Sequence, residues 1–242
     1  MNTAFYTASS GVMYLQRSMD VTANNIANSE TPGFKSSVAS FADLLYSNIH
    51  RNQDNLTNNL KTGHGVRLSG ITMQLGQGAL MPTDRELDFS IVGDGFFAVE
   101  NENGERFYTR AGNFYVKLED DAAYLATANG EYVLTPDQDR IELNPDGGLV
   151  NLDEITARIG VFSFSNPYAL VQEGNNYYTA TDASGEALMS EGFTLKQGFL
   201  ETSNAELSTE MINVISTQRA FQFNARVVQA ADELQATVNN LR

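Results

Sequence analysis

The two ends of the chain carry the same apolar spacing, and that spacing narrows what they can fold into. From Met1 to Asn28, apolar residues fall at Met1, Phe5, Ala8, Val12, Leu15, Met19 and Ile26, with Thr22 as the one polar member. Alternating steps of four and three make a narrow coiled-coil seam rather than the broader stripe of a globular helix. Leu207, Met211, Val214, Phe221, Ala225 and Val228 repeat the spacing, with Gln218 polar; after a shortened step at Ala231 it resumes at Leu234, Val238 and Leu241. Two helices with matching seams suit each other, so residues 1–33 and 203–242 are expected to form one helical assembly unit.

Local signals set the ends of these helices. Ser29-Glu30-Thr31-Pro32-Gly33 places proline and glycine where a helix cannot continue, which stops the first one near Asn28. Ser203-Asn204-Ala205-Glu206 reads as a capping box that starts the last one at Ser203. No Gly or Pro follows it. A rod of roughly 55–60 Å is longer than one domain of this size covers, so part of its surface is expected to meet another helix or another chain.

Between the helices the pattern changes. Residues 34–65 are expected to be a linker-like arm, with Phe41 to Ile49 open between a short helix and an extended segment and Asn52 to Thr62 too polar for burial. Residues 66–202 read as a central antiparallel β-domain of barrel-like or sandwich-like type, in which everything is strand or turn. Asp88 to Glu100 is strand-turn-strand around Gly93-Asp94-Gly95, and Asn103-Gly104 and Asn129-Gly130 mark tight hairpins. Asn144-Pro145-Asp146-Gly147-Gly148 marks a further turn, while Ile159 to Phe164 and Tyr177 to Thr181 continue the strands. The fold class is therefore α+β.

Composition excludes several functions. Thirty acidic against fifteen basic residues give a formal charge of −15, which repels phosphate backbones and anionic bilayers, so nucleic acid is not an expected partner. With no cysteine there is no disulfide, thiolate metal site or cysteine nucleophile. No stretch approaches the roughly 18 apolar residues of a membrane span, and no charged start with an apolar run and cleavage site precedes Arg17. Neither membrane insertion nor a cleavable signal is expected.

Candidate chemistry is sparse. Gly93-Asp94-Gly95-Phe96-Phe97-Ala98 matches the dinucleotide fingerprint, but that mechanism needs a helix after the glycines, and Phe-Phe-Ala-Val-Glu reads as a strand. His50 and His64 lie in polar surroundings without a carboxylate at ligand spacing and read as exposed loop residues. A calcium loop starting at Asp137 would want Gly and Glu where Glu142 and Gly148 stand, so these acids and Glu119-Asp120-Asp121 read as solvated turns. No serine sits in a nucleophile elbow. Neither enzyme chemistry nor any cofactor or metal is expected.

One stretch carries more identity than the rest. Ala23-Asn24-Asn25-Ile26-Ala27-Asn28-Ser29-Glu30-Thr31-Pro32-Gly33-Phe34-Lys35 resembles the N-terminal signature of the bacterial flagellar rod and hook proteins, the axial family of the hook-basal body. Phe41 to Tyr46 (FADLLY), Gly93 to Phe97, Tyr108 to Phe114, Gln197 to Asn204 (QGFLETSN) and Gln218 to Phe221 follow in the family's order, so the resemblance spans the chain. A chain of this size resembles the larger rod subunits, proximal or distal, and FADLLY and QGFLETSN look slightly more like the distal rod. Val116 to Asp121 departs from the family by lacking a glycine-bearing turn, which leaves that hairpin's geometry open.

The resemblance implies a structural subunit of the basal-body rod that polymerises through its terminal helices into a tube. Its partners would be further copies, other axial rod and hook subunits and the flagellar export apparatus, and no cleavable signal would be needed. The implied interface comprises Phe5, Val12, Leu15, Met19, Ile26, Leu207, Met211, Val214, Phe221, Val228, Leu234 and Val238, with a signature turn at Asn24, Asn25, Asn28, Pro32 and Gly33. A plainer role for the asparagines is to cap the helix end. The competing readings are a coiled-coil-tethered module whose acidic β-domain captures a ligand or peptide, and a nucleotide-dependent enzyme built on the glycine turn.

Overall fold

The computed structural model describes residues 3–48, 61–119, 122–143, 152–190 and 192–241. Met1, His50, residues 52–60 of the polar stretch, Asp120, Asp121, the turn 144–148 and Arg242 lie outside the described residues. In chain order the elements are α1 (Thr3–Ala27), β1 (Ser37–Asp43), β2 (Tyr46–Asn48), β3 (Lys61–Gly63), β4 (Val66–Met73), β5 (Leu80–Pro82), β6 (Phe89–Val92), β7 (Phe96–Glu100), β8 (Arg106–Thr109), β9 (Tyr115–Glu119), β10 (Ala122–Ala126) and β11 (Tyr132–Val133). Then come α2 (Leu152–Arg158), β12 (Val161–Ser163), a 3₁₀ turn (Pro167–Ala169), β13 (Val171–Gly174), β14 (Tyr177–Thr179), β15 (Leu188–Met189), β16 (Thr194–Gln197), β17 (Phe199–Glu201) and α3 (Leu207–Asn240). The chain is α+β with antiparallel sheets and divides into two compact units: residues 1–27, 37–74 and 206–242, and residues 28–36 and 75–205.

In the first unit α1 runs antiparallel along α3. Asn25 meets Glu210, and a Cβ on Gly11 would come within 3.1 Å of Asn224 Oδ1. The two contacts are fourteen residues apart on each helix, so the pairing has no register shift. The segment expected as an arm holds strands: β1 pairs with β4 through a bulge at Ser40/Phe41, and β2 pairs with β3. Phe41 thus lies in a strand, where an FADLLY run with a β-bulge trades helical hydrogen bonds for the ladder.

The second unit is built on an antiparallel sheet in the order β13-β14-β8-β7-β11-β10-β9, extended from β7 by β12 and β15. The Asn103-Gly104 turn joins β7 to β8 with Glu100 opposite Arg106, and Asn129-Gly130 joins β10 to β11. The segment without a glycine turn still forms a hairpin, with Glu119 opposite Ala122. Phe89, Ile91, Phe97, Val99, Phe114, Leu125, Val133, Ile141 and Val161 form a core from which water is fully excluded, and Phe97 meets Phe114 edge to face at 5.2 Å. The expectation that everything between the terminal helices is strand or turn is corrected by α2. Its Ile155 and the following Ile159, four residues apart, are both buried in that core.

A second correction concerns the start of α3. The helix begins at Leu207 with Glu206 as its cap, not at Ser203, so it spans 34 residues, about 51 Å. Asn204 is engaged elsewhere: its Oδ1 accepts from Ser36 N at 2.7 Å and its Nδ2 donates to Gly76 O at 3.0 Å. Ser203 Oγ accepts from Ala205 N rather than from Glu206 N. The Glu206 side chain makes no cap bond to a backbone amide; its carboxylate accepts from the hydroxyls of Ser208 at 2.8 Å and Thr209 at 3.0 Å, bonds that lower its carboxyl pKa.

Candidate assembly interface

Each terminal helix uses one edge of its expected seam inside the chain. On α1 the buried positions are Ala8, Gly11, Thr22 and Asn25, while Val12, Leu15, Ser18, Met19 and Ile26 are half-buried and Phe5 is exposed. On α3, Glu210 and Ala231 are buried, Val214, Thr217, Phe221, Asn224 and Val228 are half-buried, and Leu207, Met211, Leu234 and Val238 are exposed. The inward stripe of α3 thus runs 210, 214, 217, 221, 224, 228 and 231, still in steps of four and three, but with Glu210, Thr217 and Asn224 where the sequence reading places Met211, Gln218 and Ala225. Rotating the stripe this way leaves the large apolar groups outside: Met211, Ile212, Ile215 and Phe223 are 51–70% exposed. At 100° per residue these four fall within about 120° of the helix circumference and share one outward face.

The signature turn holds tertiary bonds rather than a simple cap. Asn25, fully buried, accepts from Ser37 N at 2.9 Å through Oδ1 and donates through Nδ2 to Ser37 O at 2.8 Å and Glu210 Oε1 at 2.9 Å. This corrects its reading as a helix cap: the side chain pins β1 to both helices. Asn24 is exposed, and Asn28 accepts from Thr31 Oγ1 at 3.2 Å. In the second unit, Pro32 O accepts from Asn176 Nδ2 at 3.0 Å. Gly33 is buried with φ 67°, and a Cβ there would come within 2.5 Å of the Arg110 carbonyl carbon and the Ala111 nitrogen, so only glycine fits.

A buried ionic cluster that sequence reading missed lies beside this turn, within the second unit. Lys35 Nζ donates to Glu201 Oε1 at 2.5 Å and to Gly76 O at 2.9 Å, and Arg110 binds Glu201 Oε2 at 3.2 Å and Gly93 O at 2.6 Å. Gly78 N donates to Glu201 Oε1 at 2.8 Å, and Gly33 N donates to the Glu201 carbonyl at 2.7 Å. The Glu201 carboxylate therefore gathers three other segments of the chain, through Lys35, Gly78 and Arg110. Burial lowers the pKa of the Lys35 ammonium, and the Glu201 carboxylate opposes that shift. The available sequence signal was that Lys35 closes the signature and Arg110 and Glu201 lie inside two other family stretches.

The glycine turn serves this architecture. Gly93 (φ 107°) and Gly95 (φ 142°) carry the chain from β6 into β7, a strand, so no helix N-terminus faces the glycines and the pyrophosphate mechanism has no counterpart here. A Cβ on Gly95 would lie 2.5 Å from Val161 Cγ1. His64 is exposed, with its Nδ1 3.0 Å from Leu45 O. Among the described residues no group of three His, Asp or Glu side chains is placed to hold a metal, and no helix is long and apolar enough to cross a membrane.

Three sequence families match in chain order: residues 5–35 match the one described as "Flagella basal body rod protein", residues 90–161 "Flagellar hook protein FlgE/F/G D1 domain" and residues 196–241 "Flagellar basal body rod FlgEFG protein C-terminal". The chain is 32% identical over 266 aligned residues to the flagellar basal-body rod protein FlgG of Borreliella burgdorferi, covering 100% of this chain and 99% of the relative. It is 33% identical to FlgG of Bacillus subtilis, with 100% of both chains covered. The flagellar hook-basal body complex protein FlhP of Bacillus subtilis is 28% identical, again with 100% of both covered.

Proposed function

Because the chain belongs to the flagellar basal-body rod protein family, we propose that its helical unit is the polymerising part and its β unit the self-sufficient part of a larger rod subunit. The protein is a structural subunit of the bacterial flagellar basal body and not an enzyme, and it assembles with other flagellar axial proteins. In the proposed arrangement α1 and α3 pair as a coiled coil. Their outward residues Phe5, Leu207, Met211, Leu234 and Val238 meet neighbouring subunits, while Val12, Leu15, Met19, Ile26, Val214, Phe221 and Val228 hold the pair together. The observation that carries this reading is the exposure of Met211, Ile212, Ile215 and Phe223 on a helix that turns Glu210, Thr217 and Asn224 inward. Subunits delivered by the flagellar export apparatus, without a cleavable signal and without entering the bilayer, would bury that face on arrival in the envelope; FADLLY and QGFLETSN favour the distal rod.

The test is electron microscopy of basal bodies from a strain lacking this chain. Rods are expected to be incomplete, restored by the parent gene and not by Phe221→Asp. Complete rods in the deletion strain would contradict the proposal.

A further inference from the structure

Glu210 is a charged side chain that α3 turns inward. It is 8% exposed, and among the described residues its two oxygens accept from amides alone, Oε1 from Asn25 Nδ2 at 2.9 Å and Oε2 from Asn213 Nδ2 at 3.3 Å. Among the described residues no lysine, arginine or histidine pairs with it. Its place in the first turn of α3 lets the helix dipole offset part of the burial cost, but a buried carboxylate ordinarily needs a cation.

Beside it, within the same unit, lies a cleft of about 220 Å³. Its walls carry the hydroxyls of Ser18, Thr22, Ser37, Ser216 and Thr217 together with the Asn213 amide. An apolar visitor would desolvate these groups without pairing them, whereas a guanidinium offers five donors in a planar fork.

Cations of that kind stand unpaired on the same helix. Arg219 and Arg226 are exposed, and neither forms an ion pair among the described residues. They lie nine and sixteen residues beyond Glu210. At 3.6 residues per turn they are turned about 180° and about 160° from Glu210 around the helix, on the face away from the cleft in their own chain. In a chain with fifteen basic against thirty acidic residues, two free arginines on a helix that also buries an unpaired acid are a complementary set.

We infer that the cleft beside Glu210 receives Arg219 or Arg226 from α3 of a second copy, closing an ion pair between subunits that fixes how neighbouring copies register. This rests on the rod-subunit reading above.

The experiment replaces the chain in its own strain and counts complete rods by electron microscopy. Parent DNA that fails to restore rods defeats the rod-subunit reading itself; with the parent restoring them, the remaining arms judge only the ion pair. Glu210→Gln, which keeps the shape and one amide-accepting oxygen, is expected to leave the melting temperature of the purified chain unchanged while lowering the rod count at least tenfold. Because the natural chain has no cysteine, a Glu210→Cys copy can be co-expressed with an Arg219→Cys or Arg226→Cys copy, alongside the parent chain so that rods still form. A short bifunctional maleimide is expected to join the two variants into a dimer in one of these pairings, and to join neither variant expressed without the other. Parent-level rod counts for a folded Glu210→Gln variant, or no cross-linked dimer in either pairing, overturns the inference; if the Gln variant melts early, the cross-link decides alone.

Discussion

The two units of this chain differ in what they bury: among the described residues the β unit has an aromatic core and the helical unit has none. In the β unit Phe89, Ile91, Phe97, Phe114 and Leu125 are wholly buried, and aromatic pairs such as Phe96–Tyr178 and Tyr108–Phe164 tie its strands together. In the helical unit Phe223, Ile212 and Met211 lie outside, while Asn25, Thr22 and Glu210 lie inside. A unit that buries its aromatics carries its own stability; one that exposes them is stabilised by what covers it. Under the proposed function the β unit is therefore the finished part of the monomer and the helical unit the part completed by assembly.

The strongest way to break this comparison is to charge the helical seam. Phe221→Asp places an unpaired carboxylate where an aromatic ring is half-buried, and should weaken helix packing by several kcal/mol. Swimming is expected to stop and rod assembly to fail, while near-ultraviolet circular dichroism of the β unit stays unchanged; a motile variant would show that the seam is not an interface. Gly95→Val strikes the other unit. A positive φ and a clash with Val161 should destabilise the β unit by roughly 3 kcal/mol, seen as a lowered melting temperature. A variant that keeps the parent melting temperature would mean that the turn is not architectural.

Alkaline pH should separate the units next. Burial pushes the Tyr178 hydroxyl up to about 12 from its ordinary 10.0, so the folded state favours the neutral phenol. That contribution is complete below pH 10 and is lost as pH rises through about 12, amounting to roughly 2–3 kcal/mol. Urea midpoints of the parent should fall across this window, and those of Tyr178→Phe should fall less. Equal slopes would remove Tyr178 as the cause. The smallest effect on the monomer is expected from Met211→Ser, whose exposed side chain should change stability by no more than about 0.5 kcal/mol while rod counts drop. A large loss of monomer stability would place Met211 inside the chain's own fold.

The helices, the hairpins at Asn103-Gly104 and Asn129-Gly130 and the strand after Gly95 were legible because period and turn chemistry are local. What was not legible depended on distant partners. Ser203 to Glu206 satisfies every local rule for a helix start, yet Asn204 bonds Ser36 and Gly76, and no local rule sees those residues. The seam was found with the right repeat but the wrong edge. Apolar spacing alone would turn Met211 inward, and Asn25 bound to Ser37 turns Glu210 inward instead. Gly11 was the available hint, since a glycine inside a helical pattern signals close approach, here to Asn224. The Lys35–Glu201–Arg110 cluster joins residues far apart in sequence and has no periodic trace.

Hydrogen exchange read residue by residue, on the free chain and on the same chain in purified basal bodies, tests the division of labour most directly. Backbone amides of Phe97, Val99 and Val133 in the β unit are expected to be protected equally in both. Amides of α1 and α3 are expected to exchange quickly in the free chain and to become protected at least a hundredfold in the basal body. Helices as protected in a proven monomer as in the assembled rod would contradict the claim that assembly completes them.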